Sequence, residues 1–146
     1  MSIEMKHRAL KVIILLGLFI TLAVTEPAHA ESKNFTVNIP FSFYVKDRQL
    51  PPGVYTIGPA YQNNWQGLTI RDRDGRVNIS INTTDVQSDE HPYQVKLVFN
   101  KYGDRYFLSQ FYKSRERAGR SFNKSRAERE LEERGEAPIA VTLGSK

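Results

Sequence analysis

From Phe35 onward, apolar side chains recur at every second position. Phe35, Val37, Ile39, Phe41, Phe43 and Val45 alternate with Thr36, Asn38, Pro40, Ser42 and Tyr44. A period of two puts one set on a core and the other outside, which predicts a strand. Pro40 has no N–H to give a neighbour, so the strand lies at an edge there or bends into two pieces. Asp47-Arg48 and then Pro51-Pro52-Gly53 supply turn chemistry. Val54 to Ile57 predicts a short second strand, Gly58 to Gly67 a long loop carrying Tyr61 and Trp65, and Leu68 to Ile70 a third strand. Asp74-Gly75 is a hairpin signal ahead of a fourth strand at Val77, Ile79 and Ile81. Asp85 to Pro92 is polar loop. Val95, Leu97 and Phe99 mark a fifth strand, which turns at Tyr102-Gly103-Asp104-Arg105 into a sixth, Tyr106 to Tyr112. After Pro138, Ile139, Val141 and Leu143 alternate again, in a strand placed to close the sheet.

The segment 113–135 breaks this rhythm and reads as a charged loop followed by a helix. Ser125 is placed to cap the helix with Glu128 three residues on, and Gly135 stands where a left-handed cap ends one. Arg126 with Glu130, and Glu130 with Arg134, are opposite charges four apart. Ala127 and Leu131 are its only apolar pair, so it must lean on the sheet. Many short strands, one late helix and no βαβ rhythm predict a mainly β chain. The expected fold is a single antiparallel β-sandwich or small β-barrel of seven to eight strands with one short C-terminal helix.

The first thirty residues follow another logic. Lys6, Arg8 and Lys11 precede an apolar run, Val12 to Val24, interrupted only by Gly17 and Thr21; Pro27 and then Ala28-His29-Ala30 follow. This order of positive, apolar and small residues is that of a signal-peptide helix, with cleavage after Ala30. The run holds 13 residues, short of the roughly 20 that span a bilayer. Residues 1–30 are therefore expected to leave, and residues 31–146 to form one β-rich domain with no transmembrane segment. That domain would be periplasmic or extracellular.

Composition then narrows the chemistry. The chain carries a net +5; without Lys6, Arg8, Lys11, Glu4 and Glu26 it keeps 18 basic and 14 acidic residues. A net +4 speaks to solubility more than to a partner. There is no cysteine, which excludes thiol redox chemistry and thiolate metal sites. His91 is the one histidine after residue 30, too few for the usual zinc sets. In a loop before Pro92, it lacks a recognisable nucleophile to serve. Asp72-Arg73-Asp74-Gly75 opens like a calcium loop but lacks the later ligands, and hairpin chemistry explains it. No catalytic constellation, cofactor pattern or metal-ligand set emerges.

Phe35-Thr-Val-Asn-Ile-Pro-Phe-Ser-Phe43, Leu50-Pro-Pro-Gly-Val-Tyr-Thr-Ile57, Tyr102-Gly-Asp-Arg-Tyr-Phe-Leu108 and Ser125 to Glu130 together resemble a family of short, uncharacterised exported bacterial proteins. The resemblance covers most of residues 31–146. It implies a β-rich exported domain and no activity, so it transfers no functional residue.

Two candidate sets remain. Between Lys113 and Arg129 seven cations face two acids; the stretch reads first as a solvated charged loop, and otherwise as a site with Lys113, Arg115, Arg117 and Arg120 as its anion contacts. Their partner would be an anionic envelope polymer or lipid headgroups. Aromatic interleaving is too poor for dedicated single-strand binding, so no specific nucleic acid is expected. Tyr61 and Trp65 are expected either as exposed aromatic contacts, able to stack on sugar rings or peptides, or as covers over one end of the core. The leading expectation is a non-catalytic binding or structural module of the cell envelope. A barrel carrying a small apolar ligand is the alternative, and a carboxylate-based hydrolase a more distant one.

Overall fold

The computed structural model describes residues 34–61 and 64–144. The segment 1–30, read as a signal peptide, lies outside the described residues. The described chain is mainly β: β1 (Phe35–Ile39), β2 (Phe43–Val45), β3 (Arg48–Leu50), β4 (Gly53–Tyr61), β5 (Asn64–Asp72), β6 (Asn78–Gln87), β7 (Lys96–Tyr102), β8 (Arg105–Tyr112), β9 (Ala118–Phe122), α1 (Arg126–Glu133) and β10 (Ile139–Gly144). Among the described residues no helix is long and apolar enough to cross a membrane.

All ten strands join one sheet. Its order runs β1-β4-β5-β6-β9-β8, and β8 carries β7 and then β10 beyond it. On its other edge β8 serves two neighbours end to end. Gln110 to Tyr112 pair β9, while Tyr106 and Phe107 pair β2, with β3 outside it. The expected antiparallel sheet is thus mixed, because β2 runs parallel to β8. The expected barrel is not formed: β1 pairs only β4 and β10 pairs only β7, so the sheet keeps open edges. Among the described residues the count is ten, not seven to eight. β3 and β9 escape a hydrophobic reading because Arg48, Gln49 and Arg120 occupy them.

Pro40 does what its chemistry requires. The alternating run splits around it into β1 and β2, which join different parts of the sheet. The residues that alternate inward then meet across one core. Val37, Ile39, Tyr55, Ile57, Leu68 and Ile70 come from β1, β4 and β5; Phe43, Leu97, Phe99 and Phe111 come from β2, β7 and β8. Rings join the two groups, Phe43 to Tyr55 at 5.1 Å and Phe35 to Phe111 at 5.8 Å between centroids. Large side chains fill this interior: Tyr55, Phe43, Phe99 and Phe111 are fully buried.

The helix ends where its sequence says. Ser125 Oγ accepts from Glu128 N at 3.0 Å. Gly135, at φ +84°, lets its own N–H reach Glu132 O (2.8 Å) and that of Glu136 reach Leu131 O (3.1 Å), the double bond of a left-handed cap. Asp47 adds an acceptor for Arg126 N at 3.0 Å. Leu131 packs with Tyr102 and Phe107 in a small second cluster, so β8 is covered on both faces. Tyr93 is 93% exposed. Its loop is tied outward to the turn after β8 by Arg115 N to Pro92 O (2.6 Å) and Ser88 N to Arg117 O (2.9 Å).

Candidate functional site

β6 changes partner halfway. Gly67 to Arg71 of β5 pair Asn78 to Asn82, and β9 then takes Thr83 to Gln87. Where a strand leaves one ladder for another, side chains must satisfy what the ladder no longer does. Thr83 and Arg120 do so here. Thr83 Oγ1 lies 3.3 Å from Trp65 O and 3.1 Å from Gln66 O. Arg120, 8% exposed, donates from Nε to Thr83 Oγ1 and from Nη2 to Thr83 O, both at 2.8 Å. Its Nη1 pairs with the carboxylate of Asp85, whose side chain is 86% exposed.

An open cleft of about 520 Å³ lies over this corner. Tyr61 and Asn64, from the facing ends of β4 and β5, border it, with Gln66 and Asn82 beside them and Thr84, Asp85 and Arg120 opposite along the chain. The lining holds three amides, which both donate and accept, one aromatic ring and one ion pair. Tyr61 is 68% exposed. A smaller pocket of about 130 Å³ adjoins it and shares Asp85 and Arg120. Trp65, Phe111, Ala118 and Gly119 wall that pocket, and Lys113 and Glu116 flank it. Trp65 stacks on Phe111 with ring centroids 5.9 Å apart and planes 10° apart. Lys113 Nζ sits 4.8 Å from the Trp65 ring centroid and 2.7 Å from Glu116.

The two residue sets singled out in the sequence therefore meet. Tyr61 lines the cleft, Trp65 and Lys113 the adjoining pocket, and Arg120 both. Trp65 also covers the core end, as one expectation had it. The four cations differ in their surroundings. Arg120 is buried and bound to Thr83 and Asp85, and Lys113 is held by Glu116. Arg117 donates from Nε to Ser88 O at 3.0 Å. Arg115 is exposed, with φ +62°. Asn64, Gln66, Asn82, Thr84 and Asp85 were not expected, since amides and hydroxyls on polar strand faces carry no pattern of their own.

Acid–base chemistry has little to work with here. Burial raises the pKa of Glu128, against the lowering effect of its hydrogen bond from Asn100 Nδ2 at 2.7 Å. That carboxyl sits between α1 and β7 and lines neither cavity. Tyr102 is likewise raised, by burial first and then by donating to Glu132 at 2.8 Å. His91 is an exposed loop residue. Asp72 Oδ1 accepts from Val77 N at 3.0 Å, as hairpin chemistry requires. Among the described residues no group of three or more His, Asp and Glu is placed to hold a metal. No protein-family model, curated protein or solved structure matches the chain.

Proposed function

We propose that the chain is an exported, non-catalytic binding module of the cell envelope, and that a polysaccharide strand lies in the cleft at the β6 corner. In this reading residues 1–30 direct export, cleavage follows Ala30, and the remainder works as a two-layered β-sandwich in the periplasm or outside the cell. The family resemblance of its strand and turn motifs agrees with export.

One observation carries the reading. An exposed ring, Tyr61, stands beside three amides, two hydroxyls and a buried guanidinium paired with Asp85 on one open cleft of about 520 Å³. That volume is in the range of small-ligand sites. Sugars offer apolar ring faces for an aromatic and hydroxyl edges for amides. The cleft is open, which suits a polymer passing through. A carrier of small apolar ligands would need a hollow interior, and Phe43, Phe99 and Phe111 fill this one.

Affinity electrophoresis of the mature protein through gels cast with soluble polysaccharides tests the proposal. At least one polymer should retard the protein, and Tyr61→Ala should weaken that retardation tenfold or more. Retardation by no polymer, or equal retardation of the variant, would remove it. Mass spectrometry of exported protein tests the address; a chain beginning at Glu31 is expected, and one beginning at Met1 would overturn it.

A further inference from the structure

Resting on the polysaccharide reading, we infer that the site selects an uncharged polymer of N-acetylated sugars, with the acetamido group seated in the small pocket between Trp65 and Ala118.

The first argument is charge. Both cations that line the cavities already have a carboxylate: Arg120 has Asp85 and Lys113 has Glu116. A ligand carboxylate would have to displace one of these or sit beside it, and like charges so placed repel. The other polar groups of the cleft, Asn64, Gln66, Asn82 and Thr84, are neutral. They match hydroxyls and amides better than acids.

The second argument is shape. The small pocket shares Asp85 and Arg120 with the cleft, so one sugar unit can reach across them. Its volume of about 130 Å³ is more than a single water-sized group fills. A hydroxyl would leave most of it empty. An acetamido group brings four heavy atoms of suitable character. Its methyl meets the Trp65 ring and Ala118; its N–H and C=O complement the Asp85 carboxylate and the Arg120 guanidinium on the shared wall. Trp65 is held there by its stack on Phe111 and by Lys113 Nζ, 4.8 Å from its ring centroid.

Titration calorimetry of the mature protein with three β-linked or α-linked tetramers decides the matter: N-acetylglucosamine, glucose and galacturonic acid, each at 50 and 300 mM salt. The N-acetylated tetramer should bind at least tenfold more tightly than the glucose tetramer, with less than a twofold change between the two salts. Ala118 is exposed on β9 and lines the pocket, so Ala118→Leu fills it from the surface side. It should bring the N-acetylated tetramer down to the glucose level. Equal affinity for the two neutral tetramers would overturn the inference, as would tight, strongly salt-dependent binding of the acidic one. Both results leave the polysaccharide reading standing. Binding of none of the three, together with no retardation by any polymer, would overturn both.

Discussion

Replacing Arg120 with Ala separates the two ways in which the β6 corner can be held. The guanidinium makes two 2.8 Å bonds to Thr83 and one ion pair to Asp85. Bonds from a charged donor contribute about 1.5–3 kcal/mol each. Asp85 is mostly in water, and an exposed ion pair contributes about 0–1 kcal/mol. Part of the gain is offset, because taking a guanidinium out of water is itself costly. The net expectation is a loss of about 3 kcal/mol for Arg120→Ala and under about 1 kcal/mol for Asp85→Asn. With a urea slope near 2 kcal/mol/M, the first variant should unfold roughly 1.5 M earlier at unchanged slope. The second should move by less than about 0.5 M. Equal shifts would mean that the ion pair, not the Thr83 bonds, carries the energy. A shift below about 0.5 M for Arg120→Ala would mean that desolvation cancels the bonds, and that something else fixes the corner.

Three further substitutions probe other parts of the fold. A Cβ on Gly119 would overlap the Tyr112 ring and come within 2.8 Å of Phe111 O. Gly119→Ala should therefore cost about 1–3 kcal/mol, visible as a lower urea midpoint; an unchanged midpoint would show that Tyr112 moves aside freely. Ser125→Ala removes the acceptor for Glu128 N and should cost about 1 kcal/mol; an unchanged midpoint would show that Asp47 alone caps the helix. Glu128→Gln tests a sign. Burial raises the folded pKa of Glu128, so its contribution is full below the ordinary value of about 4.3 and is lost as pH rises through the raised one. Glu132 is lowered, by Lys124 first and then Tyr102, so its contribution is lost as pH falls below that ordinary value. Urea midpoints measured from pH 4 to 8 should fall in the wild type above the ordinary carboxylate pKa relative to Glu128→Gln. Parallel profiles would refute the assignment.

What the sequence shows of this fold is what depends on near neighbours. Pro40 announces the break between β1 and β2, and Ser125 and Gly135 announce the ends of α1, because each acts through its own backbone. Asp74-Gly75 announces its hairpin for the same reason. β9 is hidden because its inward residues are satisfied from far away. Arg120 is tolerable inside only because Thr83, 37 positions earlier, accepts its N–H groups. The parallel pairing of β2 with β8 is hidden too, since alternation tells which face is buried and never which strand lies alongside. Gly58 to Gly67 looked like a loop because glycine and proline interrupt the alternation there. In fact β4 and β5 run through most of it, held by pairing that neither stretch could show alone.

The corner at β6 needs polar side chains whether or not anything binds there, so Thr83 and Arg120 by themselves say nothing about a ligand. Tyr61 is different. It is 68% exposed, and no hydrogen bond in the described chain depends on its hydroxyl. Substitutions at such positions usually stay within about 0.5 kcal/mol, so Tyr61→Ala should leave the urea midpoint where it was. A change at Arg120 that weakened binding could always be a change in the fold. A change at Tyr61 that weakens binding with the midpoint fixed can only be a change at the surface the ligand meets. If Tyr61→Ala instead lowers the midpoint as Arg120→Ala does, the ring belongs to the architecture, and the cleft loses its aromatic contact.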